Sequence, residues 1–94
     1  MENYFEEIVA SLSVEDLKIL SALNDNEAEV KFKAIKKSSL CEISKLSIAN
    51  FRKSLYRLEI AKFIEIATGQ KDHKVYITNY GIKALFSSIS KEVI

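Results

Sequence analysis

The residues from Ser47 to Glu59 read SIANFRKSLYRLE, and the interpretation of the whole chain starts from them. Their apolar side chains are spaced three, four and three positions apart, at Ile48, Phe51, Leu55 and Leu58. That spacing predicts an α-helix with one buried stripe, which Ser47 can cap because its hydroxyl accepts from free backbone N–H groups. The opposite face would carry groups that bind base edges and phosphates, namely Ala49, Asn50, Lys53, Tyr56 and Arg57. An ordinary surface helix with a solvated basic face is the alternative.

Charge is segregated along the chain, although the net charge is only +1. Residues 1–30 hold eight acids and one base, a net −7. Residues 31–62 hold nine bases and two acids, a net +7, and residues 63–94 carry +1. A lysine-rich composition alone explains many lysines but not this separation by sign. A localised basic region of this kind indicates a nucleic-acid partner.

Size and composition restrict the class of protein. Ninety-four residues predict one domain, 1–94, and the absence of proline with only two glycines favours helices over a turn-rich β fold. No apolar run is long enough to span a membrane, and the start Met-Glu-Asn-Tyr is not that of a signal peptide. The single cysteine excludes an internal disulfide and suits a reducing, cytoplasmic location.

Two amphipathic helices are predicted in the first quarter of the chain. The first, over residues 3–11, has a wide apolar stripe that needs a partner. Ser13 then caps a second helix, with Asp16 completing a capping box. Its inward side chains would be Val14, Leu17, Ile19, Leu20 and Leu23. Asn24-Asp25-Asn26 would end it, because Asn and Asp compete for backbone hydrogen bonds.

The stretch from Glu27 to Lys37 is ambiguous. A helix burying Phe32 and Ile35 is favoured, and the alternation in Val30-Lys31-Phe32-Lys33 allows a short strand instead. Ser39 and Glu42 then form the pattern of a capping box, which predicts a short helix ending near Lys45. That short helix followed by the longer basic one predicts a helix-turn-helix over about residues 39–61.

A β-hairpin and a last helix complete the predicted order. Residues 61–67 and 74–78 alternate around a polar tip that contains Gly69, which predicts a hairpin, or wing, over about residues 62–78. Thr78 can cap a final helix over residues 79–91. The predicted fold class is therefore mainly α with a small β-hairpin, a winged helix-turn-helix with extra N- and C-terminal helices.

This order resembles the MarR and PadR types of small regulators. The resemblance covers Ser39 to Leu85, and its residues are the small Cys41, the helix-initiating Ser47 and the pair Leu58-Glu59 followed by Phe63-Ile64. The closing pattern Tyr76-Ile77-Thr78-Asn79-Tyr80-Gly81, with Leu85, is similar to Tyr-x-Leu-Thr-x-x-Gly-x-x-x-Leu in those families. Lys62 replaces their usual glycine, and the wing tip lacks their arginine pattern.

The resemblance implies sequence-specific binding of double-stranded DNA by a homodimeric transcriptional regulator. Asn50 and Lys53 would contact bases, since Asn suits adenine and Lys suits guanine. Ser47, Tyr56 and Arg57 would hold phosphates, and the wing would reach the flanking DNA through Lys71, His73 and Lys74. The terminal helices would pair two subunits through Tyr4, Phe5, Ile8, Val9, Ile82, Leu85, Phe86 and Ile89. The alternative is that these helices pack on each other within one chain.

Other functions are less well supported by the residues. A winged helix used for protein assembly, in a replication, transfer or transcription-machinery complex, is the rival from another class. A metal site, an enzyme and a cofactor are not expected, because His73 and Cys41 are the only candidate soft ligands and no catalytic triad or phosphate loop is present. Cys41 is interpreted as an inert core thiol, with a redox sensor as the less favoured alternative. Any small-molecule effector remains unassigned.

Overall fold

Residues 2–68 and 73–93 are described by a computed structural model, and they form five α-helices and one three-stranded antiparallel sheet. The helices are α1 (Glu2–Ala10), α2 (Val14–Asp25), α3 (Lys37–Ser44), α4 (Ile48–Ile60) and α5 (Asn79–Val93). The strands are β1 (Ile35–Lys36), β2 (Ile64–Thr68) and β3 (His73–Ile77), in the spatial order β1-β3-β2. No helix in this part of the chain is long and apolar enough to cross a membrane.

The arrangement is a winged helix-turn-helix. Helices α3 and α4 are joined by a short turn, and β2 and β3 form the wing, with Ile64 opposite Ile77 and Thr68 opposite His73. The core lies between α2, α3, α4 and the inner face of the sheet, and its fully buried side chains are Ile19, Leu20, Leu23, Leu40, Leu58, Phe63, Ile64, Val75 and Ile77. The predicted fold class is confirmed.

Helix α2 begins and ends as its sequence predicts. The Asp16 N–H donates to Ser13 Oγ at 3.2 Å, and the Ser13 N–H donates to Asp16 Oδ2 at 3.0 Å, so the predicted capping box is present. The helix ends at Asp25, within the predicted stop. The prediction that Val14 faces inward is wrong, because this first residue of the helix is 66% exposed.

The favoured helix over Glu27–Lys37 is wrong. The chain there makes a 3₁₀ turn at Lys31–Lys33 and then strand β1, whose Ile35 lies opposite Val75 of β3. Phe32 is 85% exposed rather than buried. Pairing with the wing overrides the weak helical periodicity, and the Ile77 N–H also donates to the Ala28 carbonyl at 2.8 Å. The alternative of a short strand over Val30-Lys31-Phe32-Lys33 is also wrong, because the strand is formed by Ile35 and Lys36, after the 3₁₀ turn.

Helix α3 begins three residues earlier than predicted, and the capping box proposed for Ser39 and Glu42 is wrong. The N-cap is Lys36, which caps with no side-chain hydrogen bond, and Ser39 and Glu42 are exposed inside the helix. Cys41 is half-buried rather than fully in the core, and its thiol donates to the Leu46 carbonyl across the turn, with Sγ 3.6 Å from the oxygen.

Helices α2 and α4 end in the same hydrogen-bond pattern. Glu27 and Lys62 follow the last turns with φ of 56° and 66°, in the left-handed region. The next N–H donates back across the last turn, from Ala28 to the Leu23 carbonyl at 2.9 Å and from Phe63 to the Leu58 carbonyl at 3.0 Å. This is a Schellman motif, which glycine usually completes. Lys62 therefore keeps the backbone conformation of the glycine it replaces, and the turn into the wing is preserved.

Helix α5 is fixed to the wing by Thr78 and Gly81. The Thr78 hydroxyl accepts from the Gly81 N–H at 3.0 Å, which confirms the predicted cap, and donates to the Lys62 carbonyl at 2.8 Å. A Cβ on Gly81 would lie 2.0 Å from the Phe63 carbonyl oxygen, so no larger residue fits there. The Thr-x-x-Gly pattern is thus a packing requirement where α5 meets the end of α4.

Candidate nucleic-acid interface

Helix α4 presents one face to solvent and buries the other. Its buried residues are Phe51, Ser54, Leu55 and Leu58. The outward residues of its first two turns are exposed, and they are Ala49, Asn50, Arg52, Lys53 and Tyr56. Ser47 caps the helix, with Oγ accepting from the Asn50 N–H at 3.3 Å. Because the capping hydroxyl orders the first turn, the exposed groups project from a fixed helix end.

Ile48 lies outside the stripe assigned to it. The side chain is 68% exposed, whereas the other three stripe residues, Phe51, Leu55 and Leu58, are no more than 4% exposed. The spacing argument failed here because Ile48 is the first residue of α4 and projects beyond the core on which the later turns pack. The buried stripe gains Ser54 instead, which is 1% exposed.

The two predicted base-contacting residues are both available to a ligand. Asn50 and Lys53 are exposed, and within residues 2–68 and 73–93 neither the side-chain amide nor the ammonium has a hydrogen-bond or ion-pair partner. Tyr56 is 61% exposed on the same side. The structure therefore brings Ser47, Asn50, Lys53 and Tyr56 onto one accessible surface.

Arg57 is held by α2. Its guanidinium donates to Asp16 through Nη2 at 2.9 Å and Nε at 3.4 Å, and Nη2 also lies 3.2 Å from both Ser13 Oγ and Ser54 Oγ. Asp16 is 1% exposed, whereas the Arg57 side chain is 53% exposed. The residue predicted to hold a phosphate is thus also a link between α4 and the cap of α2.

The wing contributes exposed cations at the start of β3. His73 and Lys74 are both exposed, and Lys74 lies opposite Lys36 of β1. Lys71 falls outside the described residues. On the outer face of the sheet the Tyr76 hydroxyl donates to Glu65, and this hydrogen bond, with partial burial and the nearby carboxylate charge, raises the pKa of Tyr76.

Sequence reasoning missed Arg52. This residue is exposed one turn after Ile48 and next to Lys53, and its guanidinium makes no hydrogen bond or ion pair with any residue in 2–68 or 73–93. A helical projection places it about 40° from Ile48, at the edge of the outward arc. The helical spacing could therefore have identified Arg52 as an outward-facing residue. It was not counted because Ile48, which lies close to it on the helix, had been assigned to the buried stripe.

The residues assigned to a subunit interface are divided by the structure. Val9 and Leu85 are buried inside the chain, at 4% and 3% exposure. Phe5 packs within the chain against Phe63 and Tyr80, with ring centroids 6.4 and 5.0 Å away. Ile8 and Ile82 are half-buried against the core. The remaining three are exposed, namely Tyr4 (66%), Phe86 (52%) and Ile89 (45%).

Comparison with known proteins identifies the family. The chain is 49% identical over 89 residues to the DNA-binding protein TubR of Priestia megaterium, across 95% of this chain and 88% of that protein. The solved structure of TubR from Bacillus megaterium pBM400 matches with a TM-score of 0.87 over 93% of this chain and 97% of the other, also at 49% identity. The chain belongs to the TubR family.

More distant solved structures share the fold. The DNA-binding TubR fragment from Clostridium botulinum is 29% identical, with a TM-score of 0.67 over 82% of this chain and 96% of the fragment. A MarR family transcription regulator is 16% identical, with a TM-score of 0.74 over 97% of this chain and 60% of the other, which shows a shared fold. No family model matches the chain. The resemblance to MarR-type regulators is confirmed at the level of the fold.

Proposed function

We propose that this chain is a sequence-specific double-stranded DNA-binding protein and a homodimeric transcriptional regulator that acts in the cytoplasm. One observation carries the proposal: the first two turns of α4 expose the side chains of Asn50 and Lys53 from a capped helix end, with no partner among the described residues. Helices presented in this way enter the major groove and contact base edges with their N-terminal residues. The 49% identity to a protein named for DNA binding supports it.

Each exposed group has a distinct proposed role. Asn50 and Lys53 contact bases, because an amide matches adenine and an ammonium donates to guanine. Ser47 and Tyr56 bind phosphates, and the exposed half of the Arg57 guanidinium extends this contact while Asp16 holds its other edge. Lys71, His73 and Lys74 contact flanking DNA from the wing. In a twofold dimer these surfaces would read half-sites about one helical turn apart.

Selection of bound sites from random duplexes, followed by titration of the preferred and a random site, tests the proposal. Asn50→Ala and Lys53→Ala should each weaken binding to the preferred site by roughly 1–3 kcal/mol and relax base preference. Random DNA should be affected less, because non-specific affinity comes from phosphate contacts. Lys33→Ala is the matched control, since it removes an exposed lysine from the 3₁₀ turn and should leave site preference unchanged.

Two outcomes would contradict the proposal. Equal losses on preferred and random DNA would show that Asn50 and Lys53 touch only phosphates. Binding to duplex that is independent of salt would exclude phosphate tracking altogether, since released counterions make such binding strongly salt-dependent. The second outcome would favour the rival function, a winged helix that binds another protein.

A further inference from the structure

We propose that Ile48 contacts the C5 methyl group of a thymine in the major groove and so sets a thymine preference at one position of each half-site. The inference rests on the proposed function and extends it to a residue outside the polar set. It starts from the placement of an exposed isoleucine at the first residue of α4.

No contact within residues 2–68 and 73–93 accounts for Ile48. The side chain is 68% exposed and is absent from the hydrophobic core, and the cap is made by the preceding Ser47. An apolar residue before an N-cap often packs on the fourth helical residue, and here that position is Leu46, which is half-buried against the core. Ile48 therefore offers most of its apolar surface to something outside the chain.

The position of Ile48 is that of a base contact. It belongs to the first turn of α4, beside Ala49 and one turn before Arg52, and all three are exposed. The N-terminal residues of such a helix lie deepest in the groove. Ile60, which is 81% exposed, lies at the opposite end of the same helix, beyond the reach of a groove entered by the N-terminus.

The chemistry of the side chain selects its partner. Isoleucine neither donates nor accepts hydrogen bonds, so it discriminates only by apolar contact or by exclusion. The thymine methyl is the apolar group on base edges in the major groove. Placing Ile48 over cytosine or adenine would instead cover an amino group without replacing its hydrogen bond to water, which disfavours those bases.

Uracil substitution isolates this one methyl group. In the preferred duplex, each thymine is replaced in turn by deoxyuridine, which keeps base pairing and every hydrogen-bonding group. The unmodified protein should lose about three- to fivefold in affinity at one thymine per half-site, as expected for one buried methyl. Ile48→Ala should bind the original duplex more weakly and should no longer distinguish thymine from uracil at that position.

Ile60→Ala is the matched control, because it truncates the other exposed isoleucine of α4 and should keep the uracil effect. Unchanged thermal unfolding of both variants verifies that they fold. A preferred site at which every uracil substitution is silent, or an Ile48→Ala variant that retains the full uracil effect, overturns the assignment of Ile48 alone. A protein that selects no preferred site overturns the proposed function and this inference with it.

Discussion

Asp16 and Arg57 connect the first turn of α2 to the last turn of α4. The buried carboxylate of Asp16 accepts from the Ser13 N–H and from two nitrogens of Arg57. Because Arg57 belongs to α4, this pair links α4 to the N-terminal end of α2. Buried carboxylates are stable only when such partners are present, so the two residues depend on each other.

Removing Arg57 should destabilise the protein, because the Asp16 carboxylate would keep only the Ser13 N–H as a partner. We expect Arg57→Ala to lower the free energy of unfolding by about 1–3 kcal/mol, a range that allows for the half-exposed guanidinium. Urea unfolding measures the change. Arg52→Ala is the control and should stay within about 0.5 kcal/mol, since its side chain is exposed. An unchanged midpoint for Arg57→Ala would leave Arg57 with a role in DNA binding only.

The sequence was most informative about residues whose hydrogen-bond partners lie within a few positions along the chain. The capping pairs Ser13–Asp16 and Thr78–Gly81 could be predicted or inferred because side chain and backbone partner lie three residues apart. The Asp16–Arg57 pair joins residues 41 positions apart, and nothing in the local pattern distinguishes it from other acid and base combinations. The periodicity of apolar residues also could not predict that a residue at a helix end, such as Ile48, is exposed.

At the scale of elements, the long helices and the hairpin followed from periodicity, and the connection from Glu27 to Lys36 did not. Helix α4 was predicted within one residue of its observed end, and α5 begins at its predicted residue. Strand β1 is only two residues long and exists because β3 offers it an edge. A strand that short has no periodicity of its own, so only the tertiary pairing determines it.

The wing is proposed to add a phosphate contact that does not depend on sequence. Lys74 is exposed at the start of β3, and an exposed ammonium group attracts DNA phosphates whatever the base sequence. The double variant Lys71→Ala and Lys74→Ala should weaken all duplexes similarly and reduce the slope of log affinity against log salt by about one to two units.

The wing experiment needs a variant with an equal loss of charge elsewhere. Lys83→Ala, on the exposed side of α5, should leave the slope within about half a unit of the original. If the wing variant also keeps its slope, the wing does not contact DNA. If it lowers affinity for the preferred site alone, the wing reads sequence rather than phosphates.

At the scale of the whole molecule, the apolar surface left exposed is the argument for a dimer. Phe86 and Ile89 lie three residues apart on α5, and Ile89 borders an open cleft of about 530 Å³ between α2, α3 and α5. Val14 and Ile43, also exposed, line the same cleft. Contiguous apolar surface of this kind on a soluble protein marks an interaction site. A second copy of this chain, related by a twofold axis, would cover that surface.

Phe86→Glu should therefore convert a dimer to a monomer, because a carboxylate buried at a subunit interface has no partner. Sedimentation equilibrium at tens of micromolar measures the mass. Phe32→Glu is the control. Phe32 is 85% exposed on the connection between α2 and β1, so this variant should leave the mass unchanged. Phe5 is unsuitable because its ring packs on Phe63 and Tyr80 within one chain. A monomeric unmodified protein would refute the dimer.

The overall architecture could be predicted because helix order, capping residues and the closing Thr-x-x-Gly pattern constrain it jointly. The exposed face of α4 followed from the same periodicity. The division of the terminal helices between core and surface did not follow, because Val9 and Phe86 are equally apolar and only the packed structure shows that one is covered and the other is exposed.

The left-handed residues also bear on how this chain can evolve. Glu27, Lys45 and Lys62 have φ of 56°, 58° and 66°, and each ends a helix at a position where glycine would be free of strain. Such a conformation costs a non-glycine residue on the order of 1 kcal/mol. The same fold could therefore have a larger free energy of unfolding than it has with this sequence. A lineage carrying glycine at these three positions could tolerate harsher mutations in α4 before it lost the fold.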